Sequence, residues 1–293
     1  MSLAIAIQGE LGSNSELAVR EYFPDSTDLV IVPCRTFDEL FDAVHDGRAQ
    51  AAMAPVENSL AGSIHDVWRL LADRPLPVSG EIRLRIDHCL IGLPGTDLAQ
   101  IRRVRSHPQA LAQCQQFLHA LPDVEVEAVY DTAGAVKMLG EEGGPQDAAI
   151  ASAQAAMDHG MEIIAHDLST GVNYTRFLVL GDVDMSDSAA DADLSARADN
   201  KTTLVLQVGE MAAGLASIIT ILREQNLDLL KLETHKRAGV AWVYDVYLEF
   251  AGHVNDAGAK AAVEKMIAVA DELSVIGSYP SGHDAEPRMH RRR

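Results

Sequence analysis

The sequence predicts an α/β protein followed by a smaller α+β unit, and three features predict it. Strand-like and helix-like runs alternate through residue 180, as they do where helices cover a largely parallel sheet. Residues 181–200, GDVDMSDSAADADLSARADN, hold six aspartates, no aromatic residue and little apolar periodicity, and read as a linker. Beyond them the order of runs is βαββαβ, the split ferredoxin-like arrangement.

In order, LAIAIQG, DLVIVPC and AQAAMAPVENS are apolar runs of strand length, separated by SELAVREYF and TFDELFDAVHDG at helical spacing. The alternation resumes with HCLIGLP, RRVRSHPQALAQCQQFLHAL, VEVEAVY, TAGAVKMLGEEG, AAIASAQAAMDHG and EIIAHD. After the linker, TTLVLQVG is a strand, and AAGLASIITILREQN is a helix with Leu215, Ile218, Ile219 and Leu222 on one face. LDLLKLETHK and VAWVYDVYLEF alternate as paired strands around residues 237–239, AGAKAAVEKMIAVADEL is a helix, and VIGSYP is a last short strand. The polar tail 283–293 is expected to fray.

A chain of 293 residues, 47% hydrophobic and 23% charged, can bury a core for two domains. Its 43 acidic against 24 basic residues give a formal charge of -19, a field that repels nucleic acid and anionic membranes. Small anionic substrates remain open to it, because helix amino ends act locally. Cys34, Cys89 and Cys114 are odd in number, widely spaced and without a CxxC pair, so neither a disulfide framework nor a metal site is expected. The start, MSLAIAIQGE, lacks a basic leader and has a short apolar run; a cytoplasmic location is expected.

Four corners share one pattern, in which a strand ends, a small polar residue follows and a helix begins. They are GSNSE with Ser13, PVENSL with Glu57, Asn58 and Ser59, SHPQAL with Ser106 and Gln109, and DTAGAV with Thr132. In a parallel sheet such corners gather at the carboxyl ends of the strands, where ligands bind and free helix N–H groups suit a carboxylate. Each also has a plain reading: Ser13 with Glu16 spells a capping box, Thr132 an N-cap, and His107 a turn residue with a local hydrogen bond. In GVNYTRFLVL, residues 171–180, strand alternation places Thr175 and Phe177 on one face and Arg176 on the other. Arg176 therefore either pairs with an acidic neighbour or serves a ligand that Thr175 does not touch.

These motifs, with QGELGSNSE, PCRTFDELFDAV, APVENSLAGSI, HCLIGLPG, SHPQALAQC, DTAGAVKML, AAIAS and NYTRFLVL in order, resemble the prephenate dehydratase family with a C-terminal ACT domain. The resemblance implies a two-lobed, periplasmic-binding-protein-like catalytic domain over 1–181, with lobes of about 1–85 plus 170–181 and of 86–169. It further implies the linker 182–200 and a regulatory ACT domain over 201–282. The substrate implied is prephenate, the product phenylpyruvate, and no cofactor or metal is required. Thr175 stands where the family's essential threonine stands, as proton donor or relay, with Asn173 or Glu57 assisting. Asn58, Ser59, Ser106, Gln109, Thr132, Asn173, Arg176 and Phe177 fall at family cleft positions, Ser13 joins the substrate set, and Phe177 reads as a wall. Arg176 with the helix ends at Ser106 and Thr132 are the candidates for the pyruvyl carboxylate.

Departures concentrate at the regulatory end. The family's GAL appears as Ala213-Gly214-Leu215 and its ESRP as Glu233-Thr234-His235-Lys236, so an aromatic amino-acid effector is expected with weakened or altered choice. Pairing into a homodimer or homotetramer through the ACT domains is also expected. An arogenate dehydratase and a non-catalytic amino-acid or keto-acid sensor are the competing readings; the intact Thr175-Arg176-Phe177 run weighs against the second.

Overall fold

A computed structural model describes residues 2–26, 28–183, 199–237 and 240–289. The first lobe runs β1 (Leu3–Gln8), α1 (Asn14–Tyr22), β2 (Leu29–Cys34), α2 (Phe37–His45), β3 (Ala51–Asn58), β4 (Gly62–Ser63), α3 (His65–Asp73) and β5 (Val78–Arg85). β1 lies parallel to β2 and to β3. The small side chains of β3 let helices approach from both faces, and the strand is buried at every position but Glu57. Trp68 of α3 fastens that helix to β3 by donating its indole N–H to the Val56 carbonyl at 3.0 Å.

The second lobe runs β6 (Cys89–Gly92), β7 (Arg103–Ser106), α4 (Pro108–Gln113), α5 (Gln115–Ala120), β8 (Glu125–Ala128), α6 (Thr132–Glu142), β9 (Asp147–Ala151), α7 (Ala153–Asp158) and β10 (Glu162–Ala165). Its sheet has the order β10-β6-β9-β7-β8. The single helix expected after SHP is broken at Cys114, where the backbone leaves the helical region. The chain then returns through β11 (Tyr174–Leu180), which inserts antiparallel between β3 and β5 and sets Thr175 opposite Asn58. Both sheets are therefore mixed, not largely parallel, because a strand arriving from the other lobe runs against those it joins; β6 opposes β9 and β10 in the same way.

The C-terminal unit runs β12 (Asn200–Gln207), α8 (Met211–Glu224), β13 (Leu229–Lys236), β14 (Tyr244–Ala251), α9 (Ala257–Ile267) and β15 (Glu272–Pro280). Its antiparallel sheet has the order β13-β14-β12-β15, the ferredoxin-like βαββαβ topology. Most of the acidic linker and part of the 237–239 turn fall outside the described residues. β15 begins three residues before VIGSYP because Glu272 and Leu273 pair with Gln207 and Leu206. On α8, Leu215, Ile218 and Leu222 face the sheet as expected, but Ile219 is exposed and Ile221 takes the buried place. Part of the tail does not fray: β16 (Asp284–Ala285) adds to β5, and Arg288 reaches Glu21 at 3.0 Å.

One face of this sheet, with Leu204, Leu206, Val246, Leu248 and Phe250, is covered by α8 and α9. The other face lies on the first lobe, where Val205, Tyr247, Ile276 and Tyr279 join Trp68 and Val78 in one core. The C-terminal unit is thus packed against the lobe that carries Thr175 by continuous apolar burial. No helix among the described residues is long and apolar enough to cross a membrane.

Candidate active site

A cleft of about 340 Å³ opens between the first two lobes, a size that suits a small metabolite. Gln8, Ser13, Phe37, Asn58, Thr175 and Phe177 line it from one lobe, and His107, Gln109, Gln113, Asp131 and Thr132 from the other, with Ile86 and His88 at the crossover. The strand–helix corners therefore converge, as strand ends of α/β sheets do. The contact between lobes is close: Gly9, at φ +102°, would carry a Cβ only 2.8 Å from an Asp131 oxygen, so only glycine fits there. Ser152 donates to the Gly12 carbonyl at 2.9 Å, and Tyr130 to Glu10 at 2.8 Å, across the same gap.

Thr175 sits on the cleft face of β11, and Asn58, opposite it on β3, donates Nδ2 to its Oγ1 at 3.0 Å. One lone pair of the threonine oxygen is thereby engaged, and the residue lines the cleft. Asn58 also donates to Asn173 Oδ1 at 2.7 Å, and its Oδ1 accepts from the backbone of Leu60 and Ala61 and from Gln113 Nε2, each at 3.0 Å. Gln113 Oε1 in turn receives Asn173 Nδ2 at 3.0 Å and His88 Nε2 at 2.8 Å. Buried polar networks of this kind fix geometry, because any rotamer change strands a polar group away from water.

Gln113 and His88 are the residues that sequence reasoning passed over. Gln113 is one turn beyond Gln109 on α4, so helical spacing was the available signal; for His88 there was none. Burial lowers the His88 pKa below the ordinary imidazole value, with Gln113 and Asp87 offsetting part of the shift, so the ring is neutral near pH 7. The unfolded chain then binds the proton more readily, so this group makes stability fall as pH drops below 6.5 toward the native value. His88→Leu is expected to flatten that slope in urea titrations. It should also lower kcat about tenfold, the equivalent of one buried hydrogen-bond partner left unmatched on Gln113, with KM nearly unchanged.

Two buried polar atoms at the cleft have no protein partner, His88 Nδ1 and Ser13 Oγ. The expected capping box at Ser13 forms only in part, since the Glu16 carboxylate takes the Gly12 N–H at 2.6 Å and the Ser13 hydroxyl caps nothing. The cap of α6 is Asp131, which accepts from Gly134 N at 2.8 Å, and Thr132 is the first helical residue instead of the N-cap. His107 behaves as a turn residue, its Nδ1 accepting from Gln109 N. Burial raises the Asp131 carboxyl above its ordinary value, partly offset by its bond from Gly134.

Five expected cleft residues lie elsewhere. Glu57 on β3 and Ser59 just past its end flank Asn58 and turn to the opposite side, where Ser59 accepts from Tyr174 N and donates to the Val172 carbonyl. Ser106 is fully buried and donates to the Ile150 carbonyl at 2.6 Å. Asn173 is buried behind the wall as a support for Asn58 and Gln113. Arg176 points away from the cleft, as strand alternation requires. Its guanidinium meets Glu81 at 2.7 Å, Glu249 at 2.6 Å and Glu57 at 3.3 Å, and Lys201 also reaches Glu81, at 2.9 Å. Burial alone would raise the Glu249 carboxyl, but Arg176 outweighs it and holds the group below the ordinary carboxylate range.

At the C-terminal unit the two departing motifs lie on different elements, α8 and β13. Ala213, Gly214 and Leu215 form the first turns of α8, where a Cβ on Gly214 would stand 2.5 Å from Val208. Glu233 and His235 share the sheet face of Tyr247 and Asp245, which looks at the first lobe, whereas Thr234 pairs with Val246 on the helix side.

Two α/β lobes joined by paired crossovers, a hydroxyl- and amide-lined cleft between them and a docked βαββαβ unit define a two-lobed cleft enzyme with a ferredoxin-like appendage. The family described as prephenate dehydratase matches residues 5–185, and the chain belongs to that family. It is 33% identical to a bifunctional chorismate mutase/prephenate dehydratase of Enterobacter agglomerans, over 97% of this chain and 72% of that one. It is 35% identical to a bifunctional N-acyl-homoserine lactone acylase/prephenate dehydratase of Komagataeibacter europaeus, over 94% and 95% of the two chains. The solved prephenate dehydratase of Arthrobacter aurescens in complex with L-Phe superposes with a TM-score of 0.82 at 25% identity, covering 95% of this chain and 90% of that one.

Proposed function

We propose that the cleft around Thr175 is where this chain, an enzyme of the prephenate dehydratase family, turns prephenate into phenylpyruvate. In the reaction the bond from the ring to its carboxylate breaks and carbon dioxide leaves; the electron pair moves into the ring as the carbon–oxygen bond to the ring hydroxyl opens. That hydroxyl takes one proton and departs as water, so one proton is consumed per turnover. The observation that carries the assignment is the Thr175 hydroxyl, which lines the cleft and whose oxygen accepts from Asn58. Protonation of the leaving hydroxyl by Thr175 would build negative charge on Oγ1, and the Asn58 amide is placed to stabilise it.

Among the described residues no lysine or arginine lines the cleft, and an adjoining recess that shares Gln8 and Phe37 holds Arg35 and Arg69. The pyruvyl carboxylate is assigned to the Ser13 hydroxyl, the N–H groups that open α1, and Thr132 at the start of α6. The ring carboxylate is left with few contacts beside Asp131, which favours release of its charge into the ring. Gln109 and Phe177 complete the wall. Residues 1–181 are the proposed catalytic unit and 201–282 the regulatory one. Purified chain incubated with prephenate should yield phenylpyruvate, read by its absorbance in alkali, with arogenate turned over more slowly. Absence of phenylpyruvate would remove the assignment.

The C-terminal unit is proposed to pair copies of the chain through its edge strand β13, where Leu229 and Leu230 are exposed, and to receive an aromatic amino acid. With Glu233 and His235 turned to the lobe, calorimetry should show phenylalanine bound weakly, with tyrosine and tryptophan compared alongside. Tight phenylalanine binding would contradict this, and light scattering tests the pairing.

A further inference from the structure

We propose that His65, Glu233 and His235 form a site for a divalent transition-metal ion of the zinc class, clamping the C-terminal sheet to the catalytic lobe. His65 opens α3 next to β4 of the first lobe, and the other two stand on the lobe-facing side of β13. One ligand atom from each lies within 4.8 Å of the others. The His235 Nε2 to Glu233 Oε2 separation is 3.2 Å. Zinc bonds of about 2.0–2.2 Å set neighbouring tetrahedral ligands roughly 3.3–3.5 Å apart, so this pair already has the spacing of two ligands.

The surroundings prepare the group for that role. Lys231 donates to Ser63 Oγ at 2.7 Å, and Ser63 donates to Glu233 Oε1 at 2.8 Å. One carboxylate oxygen is thereby fixed from behind, and Oε2 is turned to the imidazoles, as partners of metal ligands commonly do. The imidazoles of His65 and His235 lie with centroids 4.0 Å apart, tilted by 52°, and Lys231 Nζ stands 3.3 Å from Glu233 Oε1. Two imidazoles and a carboxylate are a donor set suited to zinc, with a fourth position open to solvent on the exposed His65 side. The ion would join groups 168 residues apart, Ser63–His65 on one unit and β13 on the other.

A second cluster, Asp87, Cys89 and His166, provides the internal control. There the thiol is fully buried and pushed up to about 12 by that burial and by Asp87, so the thiolate that zinc needs is suppressed. The test is titration of chelator-stripped full-length chain with zinc chloride by calorimetry, and with cobalt(II) by its visible absorption. One zinc per chain is expected, with the intense cobalt bands of a tetrahedral site and a higher thermal midpoint. His65→Ala, at an exposed position, should weaken zinc at least about tenfold, and His65→Ala with His235→Ala should abolish both the cobalt bands and the thermal shift. His166→Ala should change nothing. No zinc binding by the parent chain, binding kept by the double variant, or binding lost in His166→Ala would each overturn the proposal. Circular dichroism of each variant separates loss of ligand from loss of fold.

Discussion

Thr175→Ala is expected to lower kcat on prephenate by roughly 10²-fold or more, with KM changed little. The side chain lines the cleft, and its hydroxyl oxygen is fixed by Asn58. Removing it deletes an interaction made with the leaving hydroxyl in the transition state and leaves the carboxylate-binding groups at Ser13 and Thr132 in place, which is why the loss should fall on kcat. Thr175→Ser keeps the hydroxyl but loses the methyl that restricts its rotation, and should fall between the two. Wild-type-like turnover by Thr175→Ala would remove the residue from the chemistry.

Arg176→Ala is expected to destabilise the fold by about 3–5 kcal/mol, the cost of leaving buried carboxylates without their cation. Glu81 and Glu249 are almost wholly inaccessible to solvent; Arg176 pairs with both, and in its absence Glu81 keeps only Lys201 while Glu249 loses its paired guanidinium. Because Arg176 depresses the Glu249 pKa, its contribution is present above the ordinary carboxyl value of 4.5 and is lost as pH falls below it toward the native value. The variant should therefore show a shallower acid loss of stability between pH 5 and pH 3, measured by urea midpoints. Arg176→Lys keeps the charge but not the fork that spans Glu81 and Glu249, and should recover only part of the loss. Arg176 is bonded through the backbone to Thr175 and through its side chain to β14 of the C-terminal unit, so it acts as a positioning residue between the two. A further fall in kcat under conditions where the variant remains folded would report that coupling; unchanged kcat there would confine Arg176 to stability.

The cleft was largely legible in the sequence because its parts sit at local corners. Strand alternation alone separated Thr175 from Arg176, and Asn58, Gln109, Thr132 and Ser13 were each marked by a polar residue at a strand–helix junction. The same local signal misled at Glu57, Ser59 and Ser106, because a corner names a neighbourhood while the pleat decides the face. His88 left no signal, since its role depends on an amide from a helix 25 residues away.

Taken alone, the sequence determined the order of strands and helices, the two units and the family, all of which follow from apolar periodicity and ordered local motifs. Tertiary structure alone decided which polar groups share a space: the antiparallel insertion of β11 that sets Thr175 against Asn58, the burial of Arg176 among carboxylates from both units, and the meeting of His65 with Glu233 and His235. The physical reason is that periodicity records each segment's preference for water or core, whereas hydrogen bonds and ion pairs depend on distances between segments that only the folded chain brings together.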